Sequence, residues 1–250
     1  MTQRTCLVTG AGRGIGREIA IRLAAAGHRV ALTARSESEL ARTAAACGGG
    51  LVIPLDLTAP GAVDSLFDRV ERELGPVQVL VANAGAGTSA PLVKTTDEQW
   101  QRMIDLNLTV PFRCLRRAVP AMTAAGWGRI VVIGSVASRI GAPYIAAYAA
   151  SKHGVLGLVR SAAAELVKTG VTVNAVCPGY VDTPMTEGTV ATIAAKTGRT
   201  PEQARRVLEV QQPIGRLITA AEVAEAVMFC VANGAVTGQA INVDGGTVQS

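Results

Sequence analysis

The segment Tyr148-Ala149-Ala150-Ser151-Lys152 sets a phenol and an amine four residues apart, so on a helix both side chains share one face. A free tyrosine titrates near pH 10, and acid–base work near neutrality requires a shift of about 3 units, or roughly 4 kcal/mol. A cation about 4 Å away, at an effective dielectric near 20, supplies about that much. Lys152 is therefore sufficient to turn Tyr148 into a general acid or base. The matching chemistry is proton delivery to a carbonyl oxygen as hydride reaches the carbon, or the reverse.

A tyrosine and a lysine at this spacing also occur on ordinary amphipathic helices. Ser135 narrows the choice. It follows the apolar run Ile130-Val131-Val132-Ile133, at the strand end where open α/β sheets bind ligands, and its hydroxyl can hold a substrate oxygen beside Tyr148. Asn107 is the fourth candidate. Its helical carbonyl would accept from residue 111, but Pro111 has no N–H and its ring crowds that carbonyl. A local kink is expected, freeing the carbonyl for a water that leads toward Lys152; a proline kink used only for packing is the plainer reading.

A second constellation suits a dinucleotide. Thr9-Gly10-Ala11-Gly12-Arg13-Gly14-Ile15-Gly16 follows the first apolar strand and opens a helix. Gly10, Gly14 and Gly16 let the backbone turn sharply and approach a pyrophosphate, while the helix start at Ile15 offers free N–H donors. The pattern is T-G-x-x-x-G-x-G; Ile15 stands where the G-x-G-x-x-G fingerprint has its last glycine. After the second strand, where an acid often holds the ribose 2′-hydroxyl of NAD, the chain has Ala34-Arg35-Ser36. Arg35, with Arg13, can form charge-assisted bonds to a 2′-phosphate, which favours NADP(H) and leaves NAD(H) as the alternative.

The elements that must position these groups alternate. Strands are expected at Thr5–Thr9, Arg29–Thr33, Leu51–Leu55, Val77–Ala82, Arg129–Gly134, Val171–Val176 and Ala240–Val243. Helices are expected over about Ile15–Ala26, Glu37–Ala46, Ala62–Leu74, Tyr148–Lys168 and Ala220–Val231. One long helix is expected to open at a Thr95–Glu98 capping box and run past Asn107 toward Ala125. Repeated strand–helix–strand order predicts an α/β fold with a doubly wound parallel sheet.

Composition agrees and excludes other classes. Apolar residues make up 49% of the 250, charged residues 17% and aromatics 3%, which suits Val/Ile/Leu strands covered by Ala-rich helices. The net charge of +5 is dispersed and lacks the aromatics of a base-stacking platform, so no nucleic-acid partner is expected. Its densest cluster, Arg113, Arg116 and Arg117, is the one place suited to an acidic carrier. Five scattered cysteines and two histidines support neither disulfides nor a metal site. No apolar run approaches the roughly 18 residues of a membrane span, and strand-like sequence from about Thr5 leaves no signal peptide; a reducing cytoplasm is expected.

In order and spacing, TGAGRGIG at 9–16, Asp56 after the third strand, NAG at 83–85, Asn107, Ser135, YAASK at 148–152 and CPG with Thr183 at 177–183 resemble the short-chain dehydrogenase/reductase family over essentially the whole chain. The resemblance implies a single Rossmann-like domain over 1–250, with about seven strands and helices on both faces in three layers. It implies NAD(P)-linked carbonyl chemistry, with Asn107, Ser135, Tyr148 and Lys152 as the catalytic set. It further implies adenine contacts at Asp56 and Leu57, ribose contacts around Asn83, Ala84 and Gly85, and nicotinamide contacts at Pro178, Gly179, Val181 and Thr183, with Tyr148 and Lys152 also beside the cofactor. A homotetramer is the family expectation. Ala82 departs from the family, where many relatives have Asn before NAG, which weakens one supporting hydrogen bond.

SKHGV at 151–155 and TVNAVCPGYVDTPM at 172–185 are similar to polyketide ketoreductases, ketoacyl-carrier-protein reductases and hydroxyacid dehydrogenases. The expected activity is thus NADP(H)-dependent reduction of a ketone, or oxidation of the alcohol, on a 3-oxoacyl or polyketide-like substrate, free or carried as a CoA or carrier-protein thioester. The alternatives are an NAD-dependent hydroxyacid or alcohol dehydrogenase and a noncatalytic dinucleotide sensor. Substrate contacts are expected at Ser135, Tyr148, Ser138, Arg139, Tyr144 and Met185. The polar segment 185–217 is read as a lid, with a packed helical insertion as its plainer reading.

Overall fold

The computed structural model describes residues 2–249. Seven strands form one parallel sheet: β1 Thr5–Thr9, β2 Arg29–Ala34, β3 Leu51–Pro54, β4 Val79–Ala82, β5 Gly128–Ile133, β6 Val171–Pro178 and β7 Ala240–Val243. Their order is β3-β2-β1-β4-β5-β6-β7, so the chain winds outward from β1 in one direction and from β4 in the other. The reversal leaves a crevice between the C-terminal ends of β1 and β4, the place where such sheets take ligands.

Among the described residues there are nine α-helices: α1 Gly14–Ala25, α2 Glu37–Ala46, α3 Ala62–Leu74, α4 Asp97–Ile104, α5 Val110–Ala124, α6 Ala146–Leu166, α7 Pro184–Thr197, α8 Pro201–Val210 and α9 Ala220–Ala232. Successive strand residues point to opposite faces. Accordingly Leu7, Leu80 and Ile130 pack with Phe67 of α3, Leu115 of α5 and Val155 of α6. Their neighbours Cys6, Val8, Val79 and Val131 pack with Ile19 and Leu23 of α1 and Val223 and Val227 of α9. With both faces dry, the strands need no polar alternation. Phe67 is wholly buried, and Phe67→Ala is expected to cost about 3–5 kcal/mol.

Three boundaries differ from the sequence expectation in ways that matter. The capping box at α4 uses Thr96 and Gln99, one residue beyond the expected Thr95–Glu98 pair. The expected long helix is divided: α4 and α5 are joined by a π-turn at Asp105–Thr109, with the Val110 N–H donating to the Asp105 carbonyl. Pro111 supplies the physical reason, because a chain without an N–H at that position cannot continue the ordinary ladder. Finally, segment 185–217 is largely helical, with α7 and α8 packing Val190, Ala204, Leu208 and Leu217 into a small core of their own.

Candidate functional site

The glycine turn between β1 and α1 is shaped for close backbone approach. Gly10 (φ 65°) and Gly14 (φ 54°) occupy the left-handed region, and a Cβ on Gly16 would lie 2.3 Å from the Gly10 carbonyl oxygen. Asn83 at the end of β4 holds this turn: its amide donates to the carbonyls of Thr9 (2.9 Å) and Gly10 (3.1 Å), while its N–H and that of Ala84 donate to the Thr9 hydroxyl. The implied ribose residue is thus also a brace for the turn.

A cleft of about 580 Å³ opens over this turn. Gly10, Arg13, Gly14, Ile15, Arg35, Asp56, Leu57, Asn83, Ala84, Gly85, Thr183 and Met185 all line it. Gly16 lies behind the turn, and Pro178, Gly179 and Val181 form the strand end and loop leading to Thr183. The Thr183 methyl would touch a Cβ on Gly14 at 3.2 Å, so the N-termini of α1 and α7 meet across the cleft. Asp56 is held as a carboxylate below its ordinary range by the Thr58 hydroxyl (2.7 Å) and Thr58 N–H (2.9 Å), with Arg35 adding a smaller pull.

At the far end of the cleft, Arg35 is exposed and, among the described residues, pairs with no carboxylate. Arg13 does pair: its guanidinium is 3.4 Å from Glu39. Glu39 was not among the expected site residues. Its backbone N–H donates to the Ser36 hydroxyl, which starts α2, and its side chain packs where a Cβ on Gly12 would stand. No sequence spacing announces this contact, which comes from docking α2 on the glycine turn through Thr43 and the Gly12 carbonyl (3.2 Å).

The four candidate acid–base residues converge at the C-terminal ends of β4 and β5. Lys152 is buried and its ammonium donates to the Ile133 carbonyl at 2.8 Å. It lies 5.8 Å from the centre of the Tyr148 ring. Burial lowers the Lys152 pKa to about 8. Burial also raises the Tyr148 phenol above 10, with the neighbouring Ser135 hydroxyl working against that rise. The direction is opposite to the acidification expected from Lys152 alone. Burial is the largest cause of the rise, and Lys152, whose ammonium is engaged by a backbone carbonyl, is not among the groups that oppose it.

Asn107, at the heart of the π-turn, is 1% exposed. Its amide clamps Ala86 from both sides, accepting from the Ala86 N–H and donating to the Ala86 carbonyl, each at 3.0 Å. It also donates to the Ser151 hydroxyl. Gly85 makes this convergence possible: a Cβ there would stand 3.0 Å from Asn107 Oδ1 and 3.8 Å from Lys152 Nζ.

The expected substrate residues separate. Ser138 is buried, and its hydroxyl accepts from the Ser135 N–H at 3.1 Å, so it shapes the Ser135 turn. Arg139 is half-buried with an unpartnered Nε. Tyr144 and Met185 are both exposed; Met185 lines the cleft, and Tyr144 stands on the loop between Ser135 and Tyr148. Gln212 was missed altogether. It is 2% exposed; its side chain accepts from the Tyr180 N–H (2.9 Å) and donates to the carbonyls of Tyr180 (3.1 Å) and Arg216, tying the end of segment 185–217 to the turn after β6.

Residues 4–194 match the short chain dehydrogenase family model. The chain belongs to the short-chain dehydrogenase family. It is an enzyme of that family, an oxidoreductase. Among its relatives, the 3-oxoacyl-[acyl-carrier-protein] reductase MabA of Mycobacterium tuberculosis is 43% identical over 97% of this chain and 92% of its own. D-beta-hydroxybutyrate dehydrogenase of Rhizobium meliloti is 36% identical over 97% of this chain and 98% of its own. A variant of actinorhodin polyketide ketoreductase, crystallised with NADPH, superposes with a TM-score of 0.94 at 38% identity, covering 98% of this chain and 97% of that one. No helix among the described residues is long and apolar enough to cross a membrane, and no cluster of His, Cys, Asp and Glu there could hold a metal ion.

Proposed function

We propose that this short-chain dehydrogenase is an NADP(H)-dependent ketoreductase. The observation that carries the reading is the convergence of Tyr148, Ser135, Lys152 and Asn107 beside Gly85 and Ala86, which line the same cleft as Arg35 and Arg13. The residues fit a dinucleotide: three glycines keep side chains out of the turn, two helix N-termini face it, and an arginine bridged to no carboxylate among the described residues stands where a 2′-phosphate would lie. When bound, the nicotinamide supplies or accepts the hydride.

The chain's own groups handle the oxygen and the proton. Ser135 holds the substrate oxygen beside the phenol, and Tyr148 donates its proton to that oxygen as it becomes an alcohol. A phenol kept protonated by burial is in the right state for reduction. Lys152, charged below about pH 8, stabilises the phenolate left behind and passes a proton back to it. Asn107 fixes the loop and α6 on either side of that relay.

The names of MabA and the actinorhodin ketoreductase support a 3-oxoacyl or polyketide-like substrate, carried as a thioester. We further propose a cytoplasmic homotetramer acting on such small molecules. A second reading, an NAD-dependent hydroxyacid dehydrogenase, draws on the hydroxybutyrate dehydrogenase relative and on the Glu39 carboxylate at the 2′-phosphate end of the cleft. Following NADPH and NADH oxidation with acetoacetyl-thioesters and free β-oxo acids separates the two. Tyr148→Phe should lower turnover about a hundredfold to ten-thousandfold while still binding NADPH by fluorescence titration; parental turnover by Tyr148→Phe would overturn the mechanism.

A further inference from the structure

Tyr144 is the one non-glycine among the described residues whose backbone lies in the left-handed region, at φ 70°. A bulky L-residue there is an outlier that persists only where its surroundings fix it, and such strain concentrates at ligand-handling sites. Here the fixing contact is known. The Tyr144 carbonyl accepts from the Ala90 N–H at 2.8 Å, pinning the loop ahead of α6 to the loop after β4.

Packing does not account for the tyrosine. Its side chain is 65% exposed, so it buries little, and a glycine would take the same backbone without strain. The two pinned loops both lead to the chemistry. One runs from Ser135 to Tyr148; the other begins at Ala86, which Asn107 clamps and which lines the cleft together with Met185. Exposed apolar side chains gather on these same segments: Leu92 and Val93 on one loop, Ile140 and Tyr144 on the other, and Met185 at the rim. No charged group on these loops other than Lys94 and the half-buried Arg139 interrupts them.

From this we infer that Tyr144 is a specificity-determining residue, an aromatic wall at the site mouth that selects ketones carrying a large apolar or aromatic group over compact ones. The inference rests on the ketoreductase reading and names its substrate class. An aromatic side chain offers contact area and ring-edge geometry at small conformational cost, which gives a reason to keep a strained tyrosine where glycine fits.

The test uses two N-acetylcysteamine thioesters with NADPH: acetoacetyl, and a β-oxoacyl chain ending in a phenyl ring. The parent should prefer the phenyl-ended substrate. In Tyr144→Gly that preference, read as the ratio of kcat/KM values, should fall about tenfold, whereas Tyr144→Phe should keep it. Relief of the left-handed tyrosine should also raise the melting temperature of Tyr144→Gly, which shows that the variant folds. A stabilised Tyr144→Gly with the parental ratio overturns the inference and leaves the ketoreductase reading standing. A parent that reduces neither thioester, nor any ketone, overturns both.

Discussion

The Asn107 side-chain amide donates to the Ser151 hydroxyl at 3.1 Å, and that hydroxyl donates in turn to the Tyr148 carbonyl at 2.7 Å. The π-turn is thereby coupled to the first turn of α6, where the phenol is mounted. Asn107→Ala removes this bond and both bonds to Ala86 while leaving buried polar groups behind. A loss of about 1–3 kcal/mol is expected, together with a fall in kcat of at least about tenfold from the misplaced phenol. Thermal melting and steady-state kinetics check the two parts; full activity in a destabilised protein would reduce Asn107 to a structural role.

The buried ammonium sets a pH signature. With the Lys152 pKa lowered to about 8 from 10.5, the unfolded chain binds more protons between those values, so this group makes stability rise with pH across that window. Activity moves the other way. Above about pH 8 the ammonium loses its charge and with it the support for the phenolate, so kcat/KM for ketone reduction should fall along an alkaline limb. The raised Tyr148 phenol stays protonated there and does not itself account for the limb. A flat profile to pH 10 would remove Lys152's charge from the mechanism.

Cofactor choice should respond to two residues in opposite directions. Among the described residues Arg35 is bridged to no carboxylate and feels Asp56 only at longer range, so Arg35→Ala forfeits a charge-assisted contact of about 1.5–3 kcal/mol, raising the NADPH dissociation constant roughly ten- to a hundredfold and changing NADH little. Glu39 engages the Arg13 guanidinium at 3.4 Å with both groups partly in solvent, so its hold is weak. Glu39→Gln should free Arg13 and tighten adenosine 2′,5′-bisphosphate a few-fold by calorimetry, more at low salt. Unchanged affinity in both variants would place the 2′-phosphate elsewhere.

What was legible in the sequence followed from short-range geometry. Tyr148 and Lys152 meet because helix periodicity demands it, Gly10 and Gly14 turn where only glycine is comfortable, and Pro111 announced a break that the chain resolves as a π-turn. What was not legible depends on contacts between distant segments. Ser138 turns inward because the short helical turn after Ser135 needs its hydroxyl, and Glu39 reaches the cleft only once α2 docks on Gly12. The rise of the Tyr148 phenol has the same origin: a charge can be read from a sequence, but desolvation belongs to the assembled site.

Gln212 makes the last case. It stands 32 residues from Tyr180 in sequence, yet its amide bonds both the N–H and the carbonyl of that residue while donating to Arg216. Gly179 leaves room for it, since a Cβ there would fall 2.2 Å from Gln212 Oε1. The pair α7 and α8 is therefore anchored at both ends, by Thr183 beside the glycine turn and by Gln212 beneath the β6 exit. Gln212→Ala removes the acceptor of the part-buried Tyr180 N–H and the donor to two carbonyls, at a cost of about 1–3 kcal/mol. Because the core under α7 and α8 is small, that cost should appear as local opening before global unfolding. Hydrogen exchange across 185–217 should accelerate, and KM for the ketone should rise several-fold while kcat on saturating substrate falls less. Equal protection of this segment in parent and variant would mean that its own core, and not Gln212, holds it in place.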